Sequence, residues 1–269
     1  MKFIIIKRKN IIITLIFFII VFAIIFLLLN FNNNSADKKS NIDNNNESIQ
    51  TSSNELEDFY SKIQNLTNQK EKIAYLTFDD GPTLKSTSKI LDILNEENVK
   101  ASFFVIGKHV KEHPELVKRA YDEGHYIANH GYSHNNSKLY SSADAFINEI
   151  TSTDIEIGKA IGVNDYCSHI FRFPNGYMSS VYKSKKEEYV TLLSNIDYTY
   201  IDWNCLNKDS EKKYSNQELL NNLKQSAKNK GTLVILMHDT SDVKQTDLVL
   251  KDSINYLREQ GYTFQNFYE

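Results

Sequence analysis

The sequence contains little cysteine and no strong excess of charge. Its two cysteines, Cys167 and Cys205, are too few for a disulfide-dense scaffold. The formal net charge of -3 gives no support to the broad basic surface that nucleic-acid binding favours. No GxGxxG or GxxxxGK(S/T) string occurs, so no nucleotide cofactor is expected. Hydrophobic residues make up 41% of the chain, with 16 Tyr and 15 Phe, so a sizeable core is feasible.

The N-terminus differs in composition from the rest of the chain. The run from Ile11 to Leu29 has no charged residue, and Thr14 is its one polar member. At about 1.5 Å per residue, a helix over this run nearly spans a hydrocarbon core of about 30 Å. Basic residues at 7–9 keep residues 1–10 in the cytoplasm by the positive-inside rule. We therefore predict a single-pass anchor in the cell membrane, with the rest of the chain extracellular. A cleaved signal peptide is the alternative.

Three further segments follow the predicted anchor of residues 11–29. Residues 30–54 are rich in Asn, Ser, Asp and Lys and carry too little apolar surface to fold, which predicts a flexible linker. Residues 55–69 begin with apolar side chains at helical spacing, which predicts a short helix packed on the next domain. We expect residues 70–269 to form that domain.

Strand-like and helix-like segments alternate from Ile73 onward, which predicts an α/β fold with a parallel sheet and helices outside it. The predicted strands are Ile73–Phe78, Ala101–Ile106, Tyr126–Ala128, Ile170–Phe173, Tyr198–Asn204, Thr232–Met237 and Tyr262–Phe267. The predicted helices are Ser86–Glu96, Pro114–Glu123, Ala143–Ile161, Lys183–Ser194, Asn216–Lys228 and Asp247–Gln260. Because about seven strands are fewer than the eight of a complete barrel, we predict a distorted, incomplete (β/α) barrel. An open doubly wound sheet is the alternative.

Polar residues collect where the predicted strands end. They are Asp79, Asp80, His130, His134, Arg172, Asn175, Trp203, Asp209, His238 and Asp239. The carboxyl ends of parallel strands share one edge, which is where β/α proteins assemble their sites. A random scatter of polar residues would not concentrate there, so this co-location predicts a functional site.

The two neighbouring carboxylates, Asp79 and Asp80, need compensation because like charges so close resist joint ionisation. Since successive strand side chains point to opposite sides, one carboxylate can hold a cation while the other has a different role. A polar turn before Gly81-Pro82 is the structural alternative. His130 and His134 are four apart, which on a helical turn puts both imidazoles on one face. Two histidines and a carboxylate are a familiar set of divalent-metal ligands.

The remaining histidines are less suited to this site. His125 precedes its strand, which predicts a structural role at the opposite end of the sheet. We exclude His109, His113 and His169 by the same argument from placement. His238 follows a strongly apolar strand and suits a general acid.

Two other positions at this edge have more than one interpretation. Arg172 can hold a neighbouring carboxylate ionised and oriented, and the turn at Pro174-Asn175-Gly176 leaves N–H groups that can face an oxyanion. Trp203, the only tryptophan, fits a core residue and a ligand platform equally well.

These blocks resemble the polysaccharide deacetylases, also called NodB-homology domains or carbohydrate esterase family four. The resemblance covers about residues 70–269 and rests on five ordered motifs. They are Thr77-Phe78-Asp79-Asp80-Gly81-Pro82, the pair His130 and His134, Arg172 with Pro174 and Gly176, Asp209, and Leu236-Met237-His238. Together with the predicted anchor, the chain is similar to membrane-anchored peptidoglycan N-acetylglucosamine deacetylases.

The resemblance implies a role for each residue that matches a motif. Asp79 would be the general base, paired with Arg172, and Asp80, His130 and His134 would ligate one divalent metal ion. The N–H of Asn175 would stabilise the oxyanion. Asp209 would hold His238, the implied general acid. Zinc is the first metal by affinity, and cobalt, nickel, iron and manganese also suit such ligands.

Three departures from the family pattern bear on the metal loop and on substrate contact. Gly131 replaces a Ser or Thr whose hydroxyl braces the metal loop, Ser210 stands where many members carry Trp, and Leu206 stands at a position that is often Asp.

The implied substrate is an acetylated polysaccharide outside the cell, with peptidoglycan first. Poly-N-acetylglucosamine or chitooligosaccharide deacetylation, O-acetyl esterase activity and a catalytically weak glycan-binding module are the alternatives. We expect Cys167 and Cys205 to lie at opposite ends of the sheet as free thiols.

Overall fold

The computed structural model describes residues 54–240 and 246–268. The predicted cytoplasmic segment and anchor, and the predicted linker up to residue 53, lie outside the described residues. Within the described residues, no helix has the length and apolar character needed to cross a bilayer. Residues 57–269 form one unit of the chain, and the fold below is the fold of that unit.

Eight parallel strands form a single sheet in the described residues. They are β1 (Ile73–Asp79), β2 (Ser102–Val105), β3 (Tyr126–Asn129), β4 (Ile170–Phe171), β5 (Thr199–Tyr200), β6 (Cys205–Leu206), β7 (Leu233–His238) and β8 (Thr263–Gln265). Their order across the sheet is β5-β4-β3-β2-β1-β7-β6, and β8 pairs with the first residues of β1. The parallel arrangement confirms the predicted α/β class.

The connection between β5 and β6 shows that the sheet is curled. These strands are the two edges of the sheet, yet only residues 201–204 join them. Five steps of extended chain reach at most about 18 Å, whereas seven strands side by side in a flat sheet span about 29 Å. The edges therefore approach each other, which gives the distorted, incomplete barrel that the sequence predicts.

The fifth predicted strand is wrong in its extent. Residues Tyr198–Asn204 are predicted to form one strand, but only Thr199–Tyr200 (β5) is a strand there, and β6 follows at Cys205–Leu206 on the opposite edge of the sheet. Ile201 N–H still donates to the carbonyl of Phe171 in β4, while Asn204 N–H donates to the carbonyl of Val234 in β7. The segment pairs with β4 at its start and with β7 at its end, and this change of neighbour interrupts the strand.

Helices surround the sheet, beginning with α1 over residues 54–65 and a 3-10 turn at Leu66–Asn68. The others are α2 (Thr87–Glu96), α3 (Gly107–Glu112), α4 (Pro114–Asp122), α5 (Asn136–Leu139), α6 (Ala143–Ile161), α7 (Lys183–Ser194), α8 (Asn216–Ala227) and α9 (Thr246–Glu259). The six predicted helices are confirmed, each within one residue at both ends. The short α3 and α5 were not predicted, because neither is long enough to show a helical period.

Side chains along β1 point alternately to the two faces of the sheet, so the core has an outer part under the helices and an inner part inside the barrel. Ala74, Leu76 and Phe78 pack against the surrounding helices. Tyr75 points the other way, into an inner cluster that includes Phe104 and Val234 and that Ile63 and Leu66 complete. Since Asp79 lies four residues after Tyr75 on the same strand, its side chain is on the inner face.

Candidate active site

The strands pair in a register that places their polar C-terminal residues side by side. Asp79, the last residue of β1, pairs with His238, the last residue of β7. The last residues of β3 and β4 are also paired, so His130 and Arg172, which follow them, lie next to each other. The C-terminal edge of the sheet thus collects the polar residues that the sequence placed there.

Arg172 crosses the barrel interior to Asp79. Its fully buried guanidinium donates from Nη1 to Asp79 Oδ1 at 2.8 Å and to the Thr77 hydroxyl at 2.7 Å. Its Nε and Nη2 donate to two backbone carbonyls in the connection between β5 and β6. The other carboxylate oxygen of Asp79 faces His130, with Nε2 at 3.9 Å. One oxygen of Asp79 is therefore held by the arginine, and the other is directed towards the imidazole.

Asp80, His130 and His134 form a cluster whose ligand atoms lie within 4.8 Å of one another. Asp80 Oδ1 lies 3.5 Å from His130 Nε2 and 3.3 Å from His134 Nε2. Among the described residues this buried oxygen has no hydrogen-bond partner. His130 Nδ1 donates to the carbonyl of Arg172 at 2.7 Å, so Nε2 is the ring nitrogen that faces the cluster and could bind a cation. An unpartnered carboxylate oxygen between two imidazole nitrogens fits a divalent cation such as zinc.

The charges of the cluster suit a cation as well. Burial alone raises the pKa of Asp80, but electrostatic attraction to the imidazoles of His130 and His134 holds that pKa well below its ordinary value. Burial and the neighbouring His130 lower the pKa of His134. Asp80 is therefore ionised, and His134 favours the neutral form that can ligate a metal.

Two expectations about the histidines are wrong. Residues 130–134 form a loop and not a helical turn, because Gly131 and His134 both have a positive φ, +81° and +52°. His109, which placement seemed to exclude, lies at the site, where its Nδ1 donates to the carbonyl of Asp80 at 2.8 Å. It belongs to the short α3, which follows the carboxyl end of β2.

The remaining excluded histidines lie away from the cluster. His125 is buried at the start of β3, and its Nδ1 accepts the N–H of Ala101 at 3.1 Å, which agrees with the predicted structural role. His113 ends α3 beside Glu115. His169 precedes β4 and donates to the carbonyl of Asp197. Both cysteines are free thiols, as predicted.

Asp209 holds His238 from the side of β6. Its Oδ1 accepts from His238 Nδ1 at 2.8 Å, and its Oδ2 accepts the backbone N–H of His238 at 2.8 Å and the hydroxyl of Thr246 at 2.6 Å. Burial lowers the pKa of His238, but Asp209, with Asp79 and Asp80, overcomes this effect and raises it to about 9. The imidazole is therefore protonated at neutral pH and can donate a proton from Nε2.

Asn175 and Trp203 lie at the edge of the site near Arg172. Asn175 has a positive φ of 67°, and within residues 54–240 and 246–268 its N–H has no hydrogen-bond partner. Trp203 packs over Gly176, where an added Cβ would lie 2.7 Å from the ring, and its ring centre is 5.7 Å from the guanidinium of Arg172. Trp203 is partly buried, so it forms a wall of the site and also contacts the core.

Several residues that support the site were not identified from the sequence. They are Thr77, which accepts from Arg172; Thr246, which donates to Asp209; Glu149, which contacts the loop between the two histidines; and Lys186, which contacts the loop after Asn175. Thr77 lies inside the first motif, so its neighbours could have indicated it. The others contact the site from distant parts of the chain, and nothing in the sequence next to them indicates that they do so.

Comparison with known proteins identifies the family. A family model described as polysaccharide deacetylase matches residues 66–200. The peptidoglycan-N-acetylmuramic acid deacetylase PdaA of Bacillus subtilis (strain 168) is 34% identical over 203 residues, which are 75% of this chain and 72% of that protein. A peptidoglycan-N-acetylglucosamine deacetylase of Bacillus cereus is 35% identical over 208 residues, 75% of this chain and 71% of that protein.

A solved structure has the same fold. The catalytic domain of the peptidoglycan N-acetylglucosamine deacetylase from Eubacterium rectale superposes with a TM-score of 0.66 at 30% identity, covering 72% of this chain and 88% of that one. The family model spans β1 to β5, which carry Asp79, Asp80, His130, His134 and Arg172, and it ends before Asp209 and His238. The chain belongs to the polysaccharide deacetylase family of hydrolases.

Proposed function

We propose that this protein is a metal-dependent deacetylase that removes N-acetyl groups from N-acetylglucosamine residues of peptidoglycan. The observation that carries the proposal is the arrangement of three groups at one sheet edge. A His-His-Asp cluster lies beside Asp79, which Arg172 holds, and His238, which Asp209 holds. These are the ligands, the base and the acid that amide hydrolysis requires.

Asp80, His130 and His134 would hold the cation, for which zinc is our first choice over cobalt, nickel, iron or manganese. A cation bound there would polarise the amide carbonyl and lower the pKa of water. The side chains around it would then perform the proton transfers. Arg172 orients Asp79 by holding one of its carboxylate oxygens, so the other oxygen can accept a proton from water as the water oxygen bonds to the carbonyl carbon.

Collapse of the resulting tetrahedral species needs an oxyanion donor and an acid. The unpartnered N–H of Asn175 can donate to the oxyanion. His238, held protonated by Asp209, gives its Nε2 proton to the amide nitrogen as the carbon–nitrogen bond breaks. The products are acetate and a free amine on the sugar, and His238 recovers a proton from the solvent or from Asp79.

The proposal also includes a location. The anchor and linker that the sequence predicts over residues 11–29 and 30–54 would hold the hydrolase outside the cell membrane within reach of the wall. Peptidoglycan is the acetylated polymer nearest to that position. The two peptidoglycan-directed relatives give this substrate its support.

A second candidate substrate is N-acetylmuramic acid of the same polymer, because a relative that is 34% identical is named for that sugar. The test uses the purified protein with peptidoglycan, chitooligosaccharides and an O-acetylated glycan side by side. Mass spectrometry of the digested products identifies which sugar has lost an acetyl group. Loss from N-acetylglucosamine of peptidoglycan supports the proposal, loss from muramic acid selects the second candidate, and loss only from the other glycans contradicts both.

A further inference from the structure

Glu149 is a buried carboxylate directed at the loop that carries the two candidate histidine ligands. It lies in the middle of α6, 17 residues beyond Tyr132, and is 2% exposed. Its Oε2 accepts the backbone N–H of Tyr132 at 2.9 Å and that of Ser133 at 2.7 Å. The Ser133 hydroxyl also donates to the carboxylate at 2.9 Å. One side chain thus receives three hydrogen bonds from two consecutive residues of the loop.

Those two residues lie between the candidate ligands, where the chain has no regular structure. Gly131 precedes them and contributes no side chain, and its φ of +81° is a conformation that glycine adopts freely. A Cβ at position 131 would lie 3.7 Å from Glu149 Oε2. The carboxylate therefore occupies the space towards which a side chain at position 131 would point.

The burial of this carboxylate is compensated by the loop and by one lysine. Burying a charge without partners is costly, but Lys138 Nζ lies 2.9 Å from Glu149 Oε1. Lys138 itself is exposed, and the N–H donors come from the loop. Charge-assisted hydrogen bonds are roughly twice as strong as neutral ones, so ordering the loop around Glu149 is favourable.

Glu149 does not belong to the cluster that can hold a metal ion, so any effect it has on a cation passes through the loop. We propose that Glu149 is a positioning residue that fixes the loop between His130 and His134, so that both Nε2 atoms face one cation together with Asp80. This inference rests on the proposed function. The partners that orient metal ligands commonly affect metal affinity by about 10–100-fold.

The test measures zinc affinity by competition with a chromogenic chelator and uses the full chain without substrate. The variants are Glu149→Leu, which removes the acceptor, and Glu149→Asp, which keeps the charge but shortens the reach. Glu149→Gln keeps one oxygen that can accept both N–H groups. Glu156→Leu is the matched control, because Glu156 lies on the same helix and pairs with Lys159 at 3.0 Å, away from the loop.

We expect Glu149→Leu and Glu149→Asp to bind zinc about 10–100-fold more weakly than the wild type. Glu149→Gln is expected to retain most of the affinity, and Glu156→Leu all of it. The visible spectrum of bound cobalt should change in the first two variants, because the spectrum reports the geometry of the ligands. A circular dichroism spectrum and a melting temperature in chelator establish that each metal-free variant is folded. If Glu149→Leu does not fold, Glu149→Asp carries the test.

Three results would overturn the inference, and they are distinguishable. If the wild type binds zinc and the folded Glu149→Leu and Glu149→Asp variants bind it equally well with the same cobalt spectrum, Glu149 does not position the ligands. If the wild type binds neither zinc nor cobalt, the metal site itself is absent and the proposed function fails with it. Equal weakening in Glu156→Leu would likewise reduce the role of Glu149 to general support of the helix.

Discussion

Arg172 connects the chemistry of the site with the closure of the barrel. Its guanidinium is fully buried and donates to Asp79, to Thr77 and to the short connection that joins the two sheet edges. Removing one partner of a buried pair costs roughly 3–5 kcal/mol, because the other charge remains without compensation. A variant at Arg172 would therefore lose stability and the base together.

The acid His238 provides a pH-dependent test at the scale of single residues. Its pKa of about 9 means that the acid form is present at neutral pH and is lost as the pH rises through 9. We therefore expect kcat/KM to fall on the alkaline side in that range. Asp209→Asn removes the charge that raises this pKa, so the alkaline limb should move to lower pH.

The pH profile of kcat/KM for acetate release measures this prediction. Asp247→Asn is the control, because Asp247 pairs at 2.9 Å with the exposed Lys89 and not with His238, so its replacement should leave the profile unchanged. An alkaline limb at the same pH in Asp209→Asn and in the wild type would show that His238 is not the acid that Asp209 holds.

The residues of the site differ in how well the sequence could identify them. Asp79, Asp80, His130, Arg172 and His238 lie at strand ends inside recognisable strings, so their position at one edge follows from the alternation of strands and helices. Glu149 lies in mid-helix and resembles any buried glutamate in the sequence. The position of His109 was misjudged, since the argument from placement did not allow for a helix directly after β2.

At the scale of elements, the loop after Asn175 is held by two opposite charges. Lys186 of α7 is fully buried, and its ammonium donates to the carbonyls of Gly176 at 2.6 Å and Ser179 at 2.9 Å. The carboxylate of Asp202 accepts the N–H groups of the two residues that follow Gly176, at 2.8 and 3.0 Å. The loop that presents the N–H of Asn175 is thus fixed from two sides.

Lys186→Met should loosen this loop. It leaves buried carbonyls without a donor, which costs about 1–3 kcal/mol of the free energy of unfolding. We expect kcat to fall about tenfold, less than the hundredfold or more that follows complete loss of an oxyanion donor. Zinc affinity should stay unchanged, because the loop contributes no ligand.

Urea unfolding and steady-state kinetics measure both effects. Lys185→Met is the matched control, because Lys185 is the neighbouring residue and pairs on the surface with Glu188 at 2.9 Å. Its substitution should change stability by less than about 0.5 kcal/mol. Equal behaviour of the two variants would show that burial of Lys186 does not stabilise the loop.

The elements that the sequence predicts best are helices long enough to repeat the helical period several times. Ala143–Ile161 and Lys183–Ser194 are helices between those residues in the structure. The region between Tyr198 and Leu206 could not be predicted from its hydrophobicity, because it pairs first with β4 and then with β7. Which neighbour a strand has depends on the closure of the whole barrel.

For the whole molecule, the sheet edges meet at the site, so binding at the site and folding are linked. A cation that binds only the folded state at 100 times its Kd adds about 2.7 kcal/mol to the free energy of unfolding. At about 2–4 °C per kcal/mol for a domain of this size, we expect zinc to raise the melting temperature by about 5–10 °C over the protein in chelator. Differential scanning calorimetry with and without chelator measures this shift.

Asp80→Asn provides the comparison for this shift. It retains the shape of the side chain but lacks the ionised carboxylate, so most of the stabilisation by zinc should disappear. A melting temperature that zinc raises equally in the wild type and in Asp80→Asn would place the cation elsewhere on the molecule.

The proposed function is tested most directly by acetate release from peptidoglycan with control of the metal. Three preparations are compared: the wild type in chelator, the wild type after zinc is restored, and Asp79→Asn loaded with zinc. We predict acetate only from the restored wild type, while Asp79→Asn retains bound zinc and releases at least about 100-fold less acetate, as expected for loss of a general base. Undiminished acetate release in chelator, or a fully active Asp79→Asn, would contradict the account.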